Sequence, residues 1–144
     1  MIRGNPELYF EMELSLEEAK KIVQDAEAKA KEIGVKMNIA VADVGGNLVA
    51  FERMDNAWLG SINIAISKAY TAVAFNMTTE DLGKESQAGK SLFGIHATNN
   101  GRLVIFGGGI PLLRKGVLVG AIGVSGGAVA QDIEVAKAGV KNFK

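Results

Sequence analysis

Leu16, Ala19, Ile22, Val23, Ala26, Ala30 and Ile33 recur at the three- and four-residue spacing of one helical face, while Glu17, Lys20, Lys21, Gln24, Glu27 and Lys31 fall on the other. Ser15 and Glu18 precede this stripe as a capping box, each side chain satisfying a backbone N–H that the first turn leaves open. Gly34 supplies the stop, so a helix is expected between Ser15 and Gly34. The period then changes. Met37 to Asp43 is a short apolar run, Gly45-Gly46-Asn47 a turn, and Leu48 to Met54 an alternating run, which together spell a β-hairpin. Helical spacing returns at Ile62, Ala65, Ile66, Ala69, Tyr70, Val73 and Ala74, predicting a second helix over 61–75. A weaker helix is expected from Thr79-Glu80 toward Gln87, and a polar loop over 89–101 around Leu92-Phe93. A third strand is expected at Leu103 to Phe106, a fourth at Val117 to Val124, and a last helix from Ala128 to Lys141.

Helix, hairpin, helices, hairpin, helix is the order of an α+β domain, in which helices cover an antiparallel sheet. The 144 residues suit one core, read as a single domain over 14–144 after an N-terminal tail at 1–13. Met12 offers an alternative start, which would make the first eleven residues an extension.

Sixteen basic residues balance sixteen acidic ones, so the chain lacks the electrostatic footprint of a nucleic-acid or anionic-membrane binder. It has no cysteine, which removes thiolate metal sites and a cysteine nucleophile. No run approaches the length of a membrane helix, and Glu7, Glu11 and Glu13 interrupt the N-terminus where a signal peptide would be apolar. A cytoplasmic protein is the default reading.

The candidate chemistry is therefore dispersed. Arg53 and Asp55 flank Met54 at the end of the second strand, either as a carboxylate clamp with its orienting partner or as a surface ion pair. Lys68 lies beside the apolar stripe of the second helix and either reaches into a cleft or snorkels to water. Gly107-Gly108-Gly109 before Pro111 either line an anion-binding concavity or let two backbones pass closely. Their spacing fits neither a Walker loop nor a dinucleotide fingerprint. Ser125, in Gly123-Val124-Ser125-Gly126-Gly127, either caps the last helix or contacts a ligand at its N-terminus. Asp132 complements the dipole of that helix. His96, the only histidine, is a weak candidate metal ligand in a loop, and no metal cluster is expected.

These blocks taken in order resemble the GlcG/HbpS-like family, also described as haem-degrading or PduO C-terminal-like proteins. The likeness rests on Val41-Ala42-Asp43 through Gly46, Leu48-Val49-Ala50, Arg53-Met54-Asp55 and Ser67-Lys68-Ala69-Tyr70-Thr71-Ala72. It continues in Gly101-Arg102-Leu103, Gly108-Gly109-Ile110-Pro111-Leu112, Val119 to Gly127, Gln131-Asp132 and Ala136. The resemblance implies a profilin-like three-layer sandwich and a homo-oligomer, commonly a dimer-based tetramer or octamer. It also implies a place beside glycolate, diol or glycerol utilisation, and haem or a corrinoid as cofactor. Members often carry a His after the hairpin glycines where this chain has Asn47, a poor iron ligand.

The leading expectation is an oligomeric protein binding a small organic anion or a tetrapyrrole near Arg53, Asp55, Lys68, Gly108, Gly109, Pro111, Ser125 and Asp132. A small enzyme acting on a hydroxy acid or diol, with Lys68 or Asp132 as acid or base, is the alternative. A ligand-free accessory or assembly protein is the third reading.

Overall fold

The computed structural model describes residues 13–144, so the expectations of a tail and of a start at Met12 fall, apart from Glu13, outside the described residues. Helix α1 spans Leu16–Ile33. Its capping box is complete: Glu18 N–H donates to Ser15 Oγ and Ser15 N–H to Glu18 Oε1, each at 3.0 Å. Gly34 takes the left-handed conformation that ends it, at φ 72°. Because Ser15 satisfies a donor that Ala cannot, Ser15→Ala is expected to cost about 1 kcal/mol, read as a lowered urea midpoint at unchanged slope.

The hairpin follows as β1, Asn38–Asp43, and β2, Leu48–Arg53. Asp43 Oδ1 accepts the N–H groups of Gly45 and Asn47 at 2.9 Å each, fixing the turn from its first residue. Helix α2, Gly60–Phe75, ends on Asn76 at φ 48°, and α3, Thr79–Glu85, is capped by Thr78. Two single 3-10 turns, Ile95–Ala97 and Asn99–Gly101, lie in the loop beyond. Strands β3, Gly109–Arg114, and β4, Val117–Ser125, then lead to helix α4, Val129–Val140.

One element differs from expectation. Leu103 to Phe106 is not a strand; the third strand is Gly109–Arg114, which starts within the glycine run. Val104 N–H donates to the side-chain oxygen of Thr71 instead of a ladder carbonyl. Pro111 is tolerated within β3 because that strand lies at a sheet edge, where a missing donor breaks nothing.

The four strands form one antiparallel sheet in the order β2-β1-β4-β3. Its alternating side chains serve two layers. Ile39, Val41, Ile122 and Val124 pack with Ala19, Ile22, Val23, Ala26, Val135 and Ala136 of α1 and α4. Ala40 and Ala42 face the other way, onto Ala65 and Ala69 of α2. The chain is thus an α+β sandwich of three layers, with its four-stranded sheet in the middle.

The layer under α2 is built from the smallest residues available. Ala40, Gly123 and Gly109 stand in register across β1, β4 and β3. A Cβ on Gly123 would lie 2.0 Å from the Ala65 carbonyl oxygen, and one on Gly109 2.6 Å from that of Lys68. The helix backbone therefore rests directly on the sheet. Thr79, fully buried, accepts the Gly109 N–H at 2.9 Å and ties α3 to the same floor.

Candidate functional site

Lys68 leaves α2 on the side facing the end of β4 and is 0% exposed. Its Nζ donates to Val124 O at 2.8 Å and to Asp132 Oδ2 at 3.0 Å, and lies 4.9 Å from the ring centre of Phe106. Asp132 Oδ1 in turn accepts the Gly127 N–H at 2.9 Å. Gly108 completes the seal, since a Cβ there would stand 2.7 Å from Nζ. Burial drives Lys68 below its ordinary range against the pull of Asp132. Burial likewise raises Asp132, opposed by Lys68 and by the Gly127 amide.

Lys68, Gly108, Gly109 and Asp132 are brought together, as a closed clasp between α2, β4 and α4. Lys68 neither snorkels nor lines an open cleft, because two acceptors and a ring hold it inside the protein. The glycine run is the close-passing kind and not an anion-binding concavity: a Cβ on Gly108 would also meet Val124 O at 2.5 Å. Ser125 is not the helix cap. It ends β4, while Ala128 is the N-cap of α4 and gives its N–H to Gln131 Oε1. Asp132 does lie in the first turn of α4, as its dipole role requires. Pro111 is half-buried on β3 opposite Ala121.

Arg53 and Asp55 stand apart from the clasp. Arg53 Nε and Nη2 both donate to Ala57 O, at 3.1 and 2.9 Å, so the guanidinium clamps a backbone carbonyl and not Asp55. Asp55 is exposed in the turn after β2. Arg53 nonetheless shares a cross-strand row with Asn38 and Ser125. Asn38 Nδ2 donates to Trp58 O at 3.1 Å, while its buried Oδ1 has no hydrogen-bond partner among the described residues. The turn is therefore held at two carbonyls, and Trp58 and Leu59 project from it at 68% and 74% exposure.

Half-buried apolar side chains line one stripe of α2. Ile62, Ile66 and Tyr70 fall four residues apart on one helical stripe, each half-buried. Phe51 of β2 and Ile66 pack on the same alanine layer. At the far end the hairpin turn closes on Tyr70, with a Cβ on Gly46 placed 3.0 Å from its ring. Arg102 lies over the Tyr70 ring at 3.7 Å, and Tyr70 Oη is 3.4 Å from Asn99 Oδ1. Asn47 is exposed on the adjoining turn. His96 lies on an exposed 3-10 turn, edge-on to Phe93 at 6.5 Å between ring centres.

Sequence spacing had not joined Tyr70 to Arg102, 32 positions apart. The legible signal was Asn99-Asn100-Gly101, three residues that together tolerate left-handed backbone and adopt φ 52°, 58° and 71°. A hollow of about 620 Å3 lies on the opposite face between α1 and α4. It is open, and its Lys29 is already paired with Glu32 and Glu134. No group of three metal-ligating side chains occurs among the described residues, and none of their helices is long and apolar enough to cross a membrane.

The family model described as "Haem degrading protein HbpS-like" matches residues 14–141. The chain is 44% identical over 130 residues to an uncharacterised 15.0 kDa protein of the dhaT-dhaS intergenic region of Citrobacter freundii, covering 90% of this chain and 92% of that one. It is 37% identical over 129 residues to the corrinoid adenosyltransferase PduO of the same organism, covering 90% of this chain but 38% of that enzyme. Among solved structures, a PduOC:haem complex superimposes with a TM-score of 0.87 at 34% identity, over 90% of this chain and 94% of that chain.

Proposed function

The chain belongs to the HbpS-like family, and from that premise we propose that it is an oligomeric tetrapyrrole-binding protein whose ligand lies along the α2 strip that ends at Tyr70 and Arg102. The observation that carries this reading is the strip itself. Phe51, Ile62, Ile66 and Tyr70 offer a half-buried apolar face with the Arg102 guanidinium at its Tyr70 end. A haem needs an apolar face, a cation for its propionates and an axial donor. The first two are present, and Tyr70 supplies an oxygen donor where Asn47 is unsuited. Arg102 lies over the Tyr70 ring, where its guanidinium would take a carboxylate. When bound, haem would bring iron-centred ligand and electron chemistry; the protein's part is to orient the ring and shield one face.

The strip is open on its outer side, and Trp58 and Leu59 stand beside it on a turn pinned by Arg53 and Asn38. Rigid, exposed aromatic and aliphatic side chains of this kind are interface anchors. A second copy seated on them closes the pocket. The Lys68–Asp132 clasp supports the backbone beneath the strip and presents no open acid or base.

Haemin titrated into the full chain is expected to give a saturable Soret shift, with native mass spectrometry reporting the copies and ligands per assembly. Arg102→Ala is expected to weaken binding by about 1.5–3 kcal/mol, the worth of a hydrogen bond to a charged group. Cobalamin run in parallel separates haem from a corrinoid. Absence of saturable binding by either would overturn the tetrapyrrole reading.

A further inference from the structure

We propose that Tyr70 is the axial ligand of the haem iron in this chain. The inference rests on the haem reading of the strip and names the atom, Tyr70 Oη, that would bind the metal.

Among the strip residues only Tyr70 carries a side chain that binds ferric iron well. Phe51, Ile62 and Ile66 have no donor atom, guanidinium groups do not ligate, and the Asn47 amide is a weak donor. His96 is an exposed residue of another turn, packed edge-on to Phe93 and outside the strip.

Tyr70 also meets three groups from two elements. The hairpin at Gly46 abuts one edge of its ring, where an added Cβ would stand 3.0 Å from a ring carbon. The Arg102 guanidinium covers a face at 3.7 Å, and Asn99 Oδ1 lies 3.4 Å from the hydroxyl. The backbone that delivers these last two groups runs through two consecutive non-glycine residues at positive φ, Asn99 and Asn100. In the ligation step the phenolic proton leaves to solvent, an iron–Oη bond forms, and a coordinated water is released; no electron is transferred.

The test is ferric haemin titrated into the full-chain oligomer, followed by absorption and resonance Raman spectra. The wild type is expected to show a high-spin ferric spectrum with a phenolate-to-iron charge-transfer band and tyrosinate vibrations. Tyr70→Phe keeps the ring and its packing, so circular dichroism and oligomer mass should not change. It is expected to abolish the charge-transfer band and weaken haemin by about tenfold or more. Asn47→Ala and His96→Ala are expected to retain the band. Haemin bound with a spectrum that Tyr70→Phe leaves unchanged overturns the ligand assignment while the binding strip stands. Loss of the band in His96→Ala and not in Tyr70→Phe reassigns the ligand. A wild type that binds no haemin removes the haem reading and this inference with it.

Discussion

Lys68→Met and Asp132→Asn are each expected to destabilise the protein by about 3–5 kcal/mol, and the double variant by clearly less than their sum. Either single change leaves one ion buried without its counter-charge, in a place where neither side chain reaches water. The double variant removes both charges. Met fills most of the volume of the lysine stem, and Asn keeps an oxygen to accept the Gly127 N–H that Asp132 Oδ1 now takes. What it still lacks is the donor to Val124 O, one buried carbonyl, worth about 1–3 kcal/mol. Urea unfolding of the four proteins gives the coupling energy directly. Additive single effects would mean that the pair is not a coupled ion pair at all.

The same pair sets a pH dependence whose sign follows from the two shifts. The raised Asp132 contributes stability that is fully present below its ordinary 3.8 and is lost as pH rises through the folded value. The lowered Lys68 contributes stability that is present above its ordinary 10.5 and is lost as pH falls through the folded value. The pair is therefore least favourable in the range between. The double variant should compare best with the wild type near neutrality, and worse toward acid and toward alkali. Urea midpoints of the two proteins across pH measure this, and a flat difference would contradict it.

What could be read in the sequence was what local chemistry decides. The Ser15–Glu18 box, the Gly34 stop and the α1 stripe involve neighbours within a few positions, so spacing alone located them. The third strand escaped because Gly109 and Pro111 are breakers by composition. They are admitted only by context, Pro111 by its edge position and Gly109 by the helix backbone lying on it. Lys68 and Asp132 were both legible as candidates, yet the bond between them joins residues 64 positions apart. Nothing in the pattern around Arg53 announced that its partner would be the Ala57 carbonyl, since backbone acceptors have no residue signature. The family likeness located the fold in advance, but the strip depends on Tyr70 and Arg102 meeting across a left-handed loop.

Gly123→Ala is expected to cost more than about 3 kcal/mol, beyond the usual range for an added methyl group in a packed core. The methyl would stand 2.0 Å from Ala65 O and 2.5 Å from Ala69 N, both backbone atoms of α2. A flexible side chain could swing away from such a contact; a helix backbone moves only as a unit. Lifting α2 also parts Ala65 and Ala69 from Ala40 and Ala42 and stretches the reach of Lys68 to Asp132. These losses fall together on a total stability of about 5–15 kcal/mol for a domain of this kind. Gly60→Ala is the matched control on the same helix. A Cβ there meets nothing within 4 Å, and the backbone is not at positive φ. It should therefore be neutral or stabilise by about 0.4–1 kcal/mol through the unfolded chain. Urea midpoints decide between the two, and a Gly123→Ala protein within about 0.5 kcal/mol of wild type would show that the contact is not fixed. If the contact is fixed, haemin affinity should fall with stability in Gly123→Ala, because the displaced helix carries Ile62, Ile66 and Tyr70 together.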